Sequence, residues 1–217
     1  MVLTAQDVLA SLAGGEGPDV EFKRVLPRDE RAARTLCAFA NTRGGLLLVG
    51  ITDLGRVHGV HEPGLVAERL LALAEIHLAP ALPVEVQVLV LGGPRIVVCR
   101  VPPSPSRPHA LLLPGGEREV LVRLGASNCP ARGPTLAALR RPRRPTRARN
   151  PLEERILDWV GREAGRAERP TGSATVPRFS EAHNVGLARA RRTFTSLESR
   201  GLLIGHGAGR ARVYATT

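Results

Sequence analysis

Arg189, Arg191 and Arg192, with Thr193 and Ser196 beside them, are the residues of this 217-residue chain best equipped for recognition chemistry. A guanidinium can grip guanine O6 and N7 with two parallel hydrogen bonds, and hydroxyls can bind phosphate oxygens or base edges. Arg210 and Arg212 follow after His206-Gly207-Ala208-Gly209, a Gly-rich turn from which arginine can reach a minor groove or phosphates. Upstream, Arg140–Asn150 holds six arginines, two prolines and no acid. That composition predicts a solvated, flexible linker, with Arg143, Arg144 and Arg147 as phosphate contacts.

The charge distribution gives these positions their weight. The formal net charge is +11, and Lys23 is the only lysine among 31 basic residues. Residues 1–139 carry 14 basic and 13 acidic side chains, whereas residues 140–217 carry 17 and 7. A basic C-terminal third on a near-neutral remainder is the electrostatic footprint of a nucleic-acid binder. An arginine-rich composition arises from a GC-rich genome as well, and a basic helix face also serves protein docking. Aromatic residues make up 3% of the chain, which leaves few platforms for stacking single-stranded bases. Cys37, Cys99 and Cys129 lack Cys-x-x-Cys spacing and are expected as buried thiols, not as disulfides or zinc ligands. No run of 18 apolar residues occurs and no basic region precedes an apolar N-terminal run, so a cytoplasmic protein without membrane contact is expected. Gly44-Gly45 and Gly50 do not form a phosphate loop, because Gly-x-x-x-x-Gly-Lys-Ser/Thr is absent, so ATP is not an expected ligand.

The elements behind these residues follow from hydrophobic period. Leu152, Ile156, Leu157, Trp159 and Val160 predict an amphipathic helix, and Val176 to Asn184 a second. Val185 to Arg200 predicts a third, with Leu187, Ala190, Phe194 and Leu197 inward. Leu202 to Ile204 and Ala211 to Tyr214 then pair around glycines. Three helices and a Gly-tipped hairpin form the winged helix-turn-helix pattern, and Leu197 to Leu203 is similar to the junction of recognition helix and wing in many bacterial regulators. Earlier, Thr4 caps a short helix to Leu12, and Val20-Glu21-Phe22-Lys23 is a strand with Val20 and Phe22 on one face. Leu36, Cys37, Phe39 and Ala40 are a helix stripe that Gly44 terminates. Leu46 to Ile51 has no polar face and should be a central strand that delivers Asp53 at its end. Pro63 to Leu78 reads as a helix with Val66, Leu70, Leu71, Leu73, Ala74 and His77 in its stripe. Pro83–Leu91 and Arg95–Val101 form a hairpin around Gly92-Gly93. Ala110–Leu113 is expected to pair with Glu119–Leu124, and Pro134–Leu139 to be a short helix. Strands mixed with few helices indicate an α+β class.

Taken together, Glu21-Phe22-Lys23, Ala38-Phe39-Ala40-Asn41-Thr42-Arg43-Gly44-Gly45, the strand to Asp53, Gly55-Arg56-Val57-His58-Gly59 and Leu121-Val122-Arg123-Leu124-Gly125-Ala126-Ser127 resemble the Schlafen-type AlbA domain, also known as a divergent AAA or DNA-binding domain. The resemblance spans roughly residues 5–140, and the combined blocks are far more specific than any one motif. It implies a mixed-sheet domain over 1–139; the Arg/Pro-rich composition then marks a linker over 140–150, and the helix and hairpin pattern a small winged helix-turn-helix domain over 151–217. The resemblance adds Arg123 to the nucleic-acid-binding candidates. Some Schlafen relatives cleave RNA with three carboxylates, which Glu16, Glu21 and Asp53 match, with Lys23 beside them. In such an enzyme these residues would be catalytic and would hold Mg or Mn. The alternative is that Glu21 pairs with Lys23 and Asp53 caps a turn. His58 and His61 lack a third ligand and are expected to hydrogen-bond in their loop.

Three functions therefore stand. A DNA-binding transcriptional regulator is favoured, with DNA ahead of RNA, no cofactor, and a homodimer among the assemblies it allows. A metal-dependent endoribonuclease acting on structured RNA such as tRNA is second. A non-catalytic protein-interaction module is third.

Overall fold

The computed structural model describes residues 3–141, 149–164 and 174–216. Residues 142–148 of the expected linker, including Arg143, Arg144 and Arg147, lie outside the described residues. Helix α1 (Ala5–Gly14) opens with a capping box: the Thr4 hydroxyl accepts from the Asp7 amide, and the Asp7 carboxylate accepts from the Thr4 amide. Strand β1 (Val20–Lys23), helix α2 (Asp29–Ala40) and strand β2 (Gly45–Val49) form a parallel crossover, with Glu21 opposite Leu47 and Phe22 opposite Leu48. Gly44 sits at φ 79°, and a Cβ there would strike the Val101 carbonyl. A Cβ at Gly45 would lie 2.6 Å from the Phe39 ring. The double glycine therefore lets helix and sheet approach as well as stopping the helix.

Helix α3 (Pro63–Ile76) and the two-residue strand β3 (Leu78–Ala79) follow. Leu70, Leu73 and Ala74 of α3 are buried, but Leu71 is 47% exposed and leaves the expected stripe. Strands β4 (Glu85–Val90) and β5 (Arg95–Val101) form the expected hairpin, with Gly92 and Gly93 both at positive φ. The resulting sheet is mixed, in the order β1-β2-β5-β4. It has two buried faces. Leu47, Val49, Val97 and Cys99 pack under α2 and α3, while Leu48, Ile96 and Val98 meet Phe22 and Val8. The expected two-sided burial of the Leu46–Ile51 segment is met at Leu47 through Val49 and at Ile51.

The next pairing differs from the sequence expectation. Strand β6 (Ala110–Leu112) pairs with β7 (Arg118–Glu119), but β8 (Leu121–Leu124) turns at Gly125, φ 56°, to pair with β9 (Ser127–Pro130). The Leu121 carbonyl is occupied by the buried Asn41 side chain at 2.8 Å, which takes β8 out of a ladder with β6. Helix α4 (Gly133–Leu139) closes this half.

Helices α5 (Pro151–Ala164), α6 (Val176–Ala182) and α7 (Leu187–Ser199) precede the antiparallel pair β10 (Leu203–His206) and β11 (Val213–Thr216). The sparse aromatics concentrate here. Trp159, Phe179, Phe194 and Tyr214 are buried and meet edge to face, Phe194 and Tyr214 at 4.9 Å between centroids. Ala190, Phe194 and Leu197 face this core as the period predicts, whereas Leu187 is 37% exposed at the first turn of α7. Ile204 and Ala215 form a cross-strand pair that packs on Val122, Leu124, Cys129 and Ala131 of the β8–β9 hairpin and on Leu139. The chain is thus an α+β protein built on a mixed sheet. No described helix is long and apolar enough to cross a membrane.

Candidate nucleic-acid interface

Alternation along β1 sends Glu21 away from Phe22, towards α2 and β8, where it meets two cations. Lys23 Nζ lies 2.6 Å from one carboxylate oxygen and Arg123 Nη2 lies 2.5 Å from the other. The same lysine is 3.8 Å from Glu16, whose carboxylate accepts the Phe22 amide at 2.7 Å. Asp53 is exposed in the Thr52–Arg56 turn. Among the described residues, no group of three or more His, Cys, Asp or Glu side chains is placed to hold a metal ion. Of the metal and catalytic set expected from Glu16, Glu21 and Asp53, the structure brings Glu16 and Glu21 together around Lys23, with Arg123 on the far oxygen of Glu21, and leaves Asp53 in its exposed turn. The alternative of a Glu21–Lys23 pair holds.

The expectation that Arg123 contacts nucleic acid is corrected. The residue is 1% exposed, so it cannot meet a nucleic acid. Besides Glu21, it donates to the Gly17 carbonyl and to Asn128, and its guanidinium lies 5.1 Å from the Phe39 ring centre. A planar group with five donors can satisfy all these acceptors at once, which lysine could not do.

Sequence reasoning missed Asn41 and His109 as a pair. The Asn41 amide brackets the His109 backbone, accepting its N–H and donating to its carbonyl, each at 2.8 Å. The fully buried His109 ring sets Nδ1 2.7 Å from the Pro80 carbonyl and Nε2 2.7 Å from the Ser104 hydroxyl. A carbonyl only accepts, so Nδ1 carries the proton and Nε2 accepts from Ser104. Burial pushes the ring's pKa below its ordinary value. The Ala-Phe-Ala-Asn motif was the available signal, and its asparagine holds the scaffold together. The three cysteines are buried thiols, as expected. Burial pushes Cys37 up to about 11 and Cys99 up to about 12. His58 accepts from Arg24 Nε at 3.3 Å, a loop contact as expected.

The exposed cations lie elsewhere. Arg189, Arg191 and Arg192 stand on the solvent face of α7, opposite Ala190, Phe194 and Leu197. Thr193 is half-buried, and its hydroxyl donates to the Arg189 carbonyl at 3.0 Å. Arg210 is exposed at the turn between β10 and β11. Arg212 is corrected: it points inward to Glu198 and to the Gly205 and Gly207 carbonyls, and is not free for phosphate. Glu198 is itself buried and would be an uncompensated charge without it. Arg189, Arg191, Arg192 and Arg210 have no carboxylate partner among the described residues.

Residues 16–132 match the family model described as "Schlafen, AlbA_2". The N-terminal domain of a RecG-related protein from Nitrosomonas europaea, solved by NMR, is 30% identical, with 56% of this chain and 88% of that one covered and a TM-score of 0.45. The DIP2311 protein from Corynebacterium diphtheriae is 20% identical over 57% of this chain, with a TM-score of 0.41, and the match spans 25% of its length. No match was found among curated proteins. With more than half of its length accounted for by one family model, the chain belongs to the Schlafen AlbA_2 family.

Proposed function

We propose that the protein is a nucleic-acid-binding protein whose target is duplex DNA and whose role is transcriptional regulation. The carrying observation is the outer face of α7, where Arg189, Arg191 and Arg192 are exposed without acidic partners among the described residues. We take helix α6, the turn through Asn184 at φ 50° and helix α7 as a helix-turn-helix, and β10–β11 as its wing. In that reading α7 enters the major groove, and Arg191 or Arg192 takes guanine O6 and N7. Arg210 at the hairpin tip reaches the adjacent phosphate backbone.

The test is fluorescence anisotropy of the full chain on specific and random duplexes at several salt concentrations. Binding should weaken as salt rises, because phosphate contacts release counterions. Absence of duplex binding at low salt would overturn the proposal in favour of protein docking.

A further inference from the structure

We infer that the cleft between the β3–β6–β7 sheet and helix α4 binds a phosphate-bearing ligand of mononucleotide size. The cleft holds about 550 Å³ and is lined by Arg118 of β7, Arg132 at the entry to α4 and Arg140 at its end. All three arginines are exposed, and none has a carboxylate partner among the described residues. The one acidic residue in the lining, Glu119, is engaged by Arg34 at 2.7 Å. Three like charges around one concavity repel one another and focus a positive field into it, and an anion between them relieves that repulsion. Guanidinium groups match phosphate oxygens in geometry as well as charge.

The volume decides the rest of the ligand. A lone phosphate would leave most of the cleft empty, whereas ligand pockets of about 300–1,000 Å³ hold molecules of nucleotide or drug size. The remaining wall is apolar, with Pro80, Pro108 and Leu136 among its residues, and suits the flat or ring-shaped body of a nucleotide. None of the lining residues is aromatic, so the body is held by van der Waals contact and not by stacking. The cleft shares no residue with the α7 face, and this inference stands apart from the duplex reading.

The phosphate can come from a free mononucleotide or from a short single strand, and the test separates the two. Full-length protein is titrated calorimetrically with AMP, with adenosine and with a single-stranded tetranucleotide. AMP should bind at least about tenfold more tightly than adenosine, because only AMP offers the charge-assisted contacts. R118A/R132A/R140A should lose at least about tenfold for AMP, or for the tetranucleotide alone if the natural source is a strand. A control that removes the same charge, R31A/R56A/R95A, should stay within about twofold, since a general field effect is small beside direct contacts. Because all six arginines are exposed, both triple variants should keep the parent's thermal midpoint. The cleft variant should also match the control on duplex DNA, which separates failure here from failure of the α7 reading. The inference is overturned if the two triple variants bind both AMP and the tetranucleotide alike, or if neither AMP nor the tetranucleotide binds more tightly than adenosine.

Discussion

Arg123 and Glu21 meet across 102 positions of sequence, with the guanidinium 1% exposed. The ion pair is therefore part of the scaffold, and its value lies in what its loss would leave behind. Removing one partner of a buried pair costs about 3–5 kcal/mol, because the other charge stays desolvated. Arg123→Ala should lower unfolding stability by that order in a denaturant titration, and a loss under about 1 kcal/mol would show that Lys23 alone suffices for Glu21. His109 gives a second residue-scale prediction. Its ring is neutral in the folded state because burial depresses its pKa, whereas the unfolded chain protonates near about 6.5. Its contribution is complete above that pH and declines as pH falls below it, since the unfolded state then binds the proton first. Thermal midpoints between pH 7.5 and 5 should therefore drop more steeply for the parent than for His109→Gln; parallel curves would exclude the ring as the titrating group. Neither role was legible in the sequence. A motif shows that Asn41 and Arg123 matter, but buried partners 68 to 102 positions away decide whether they serve chemistry or the fold.

The elements were far more legible, because period and punctuation are local. Thr4, Gly44, Gly92-Gly93 and the α7 stripe each announce their element through near neighbours. The β8 segment misled because its carbonyl is taken by Asn41, 80 positions upstream. Helix α7 also supports a contrast in recognition. R191A/R192A should weaken specific duplex binding and flatten sequence preference by about 1–3 kcal/mol for each base no longer gripped. R143A/R144A/R147A should weaken all sequences alike and lower the salt slope by about one unit for each phosphate no longer neutralised. Anisotropy on specific and random DNA distinguishes them. A uniform loss for the helix variant would mean that Arg191 and Arg192 touch only backbone, and no change for either would leave α7 as a docking surface.

At the scale of the whole molecule, the charge asymmetry was visible from composition, but the way the two halves join was not. The basic stretch 140–150 suggests separable units, yet the β10–β11 pair turns one face to its own aromatic core and the other to the β8–β9 hairpin. Polar contacts add to that junction: the Thr135 hydroxyl donates to Glu198, and Arg212 reaches both. Cleaving the chain between two surfaces that bury Ile204 and Ala215 removes the covalent link but leaves the apolar contact. Limited trypsinolysis should therefore cut within 140–150, where six arginines lie, and the two fragments should co-elute on size exclusion. Ile204→Asp places a charge in that contact without entering the aromatic core, so its nicked fragments should elute separately. Fragments of the parent that part at once would mean that the halves are independent domains. In that case Arg212 and Glu198 would act only within the C-terminal half.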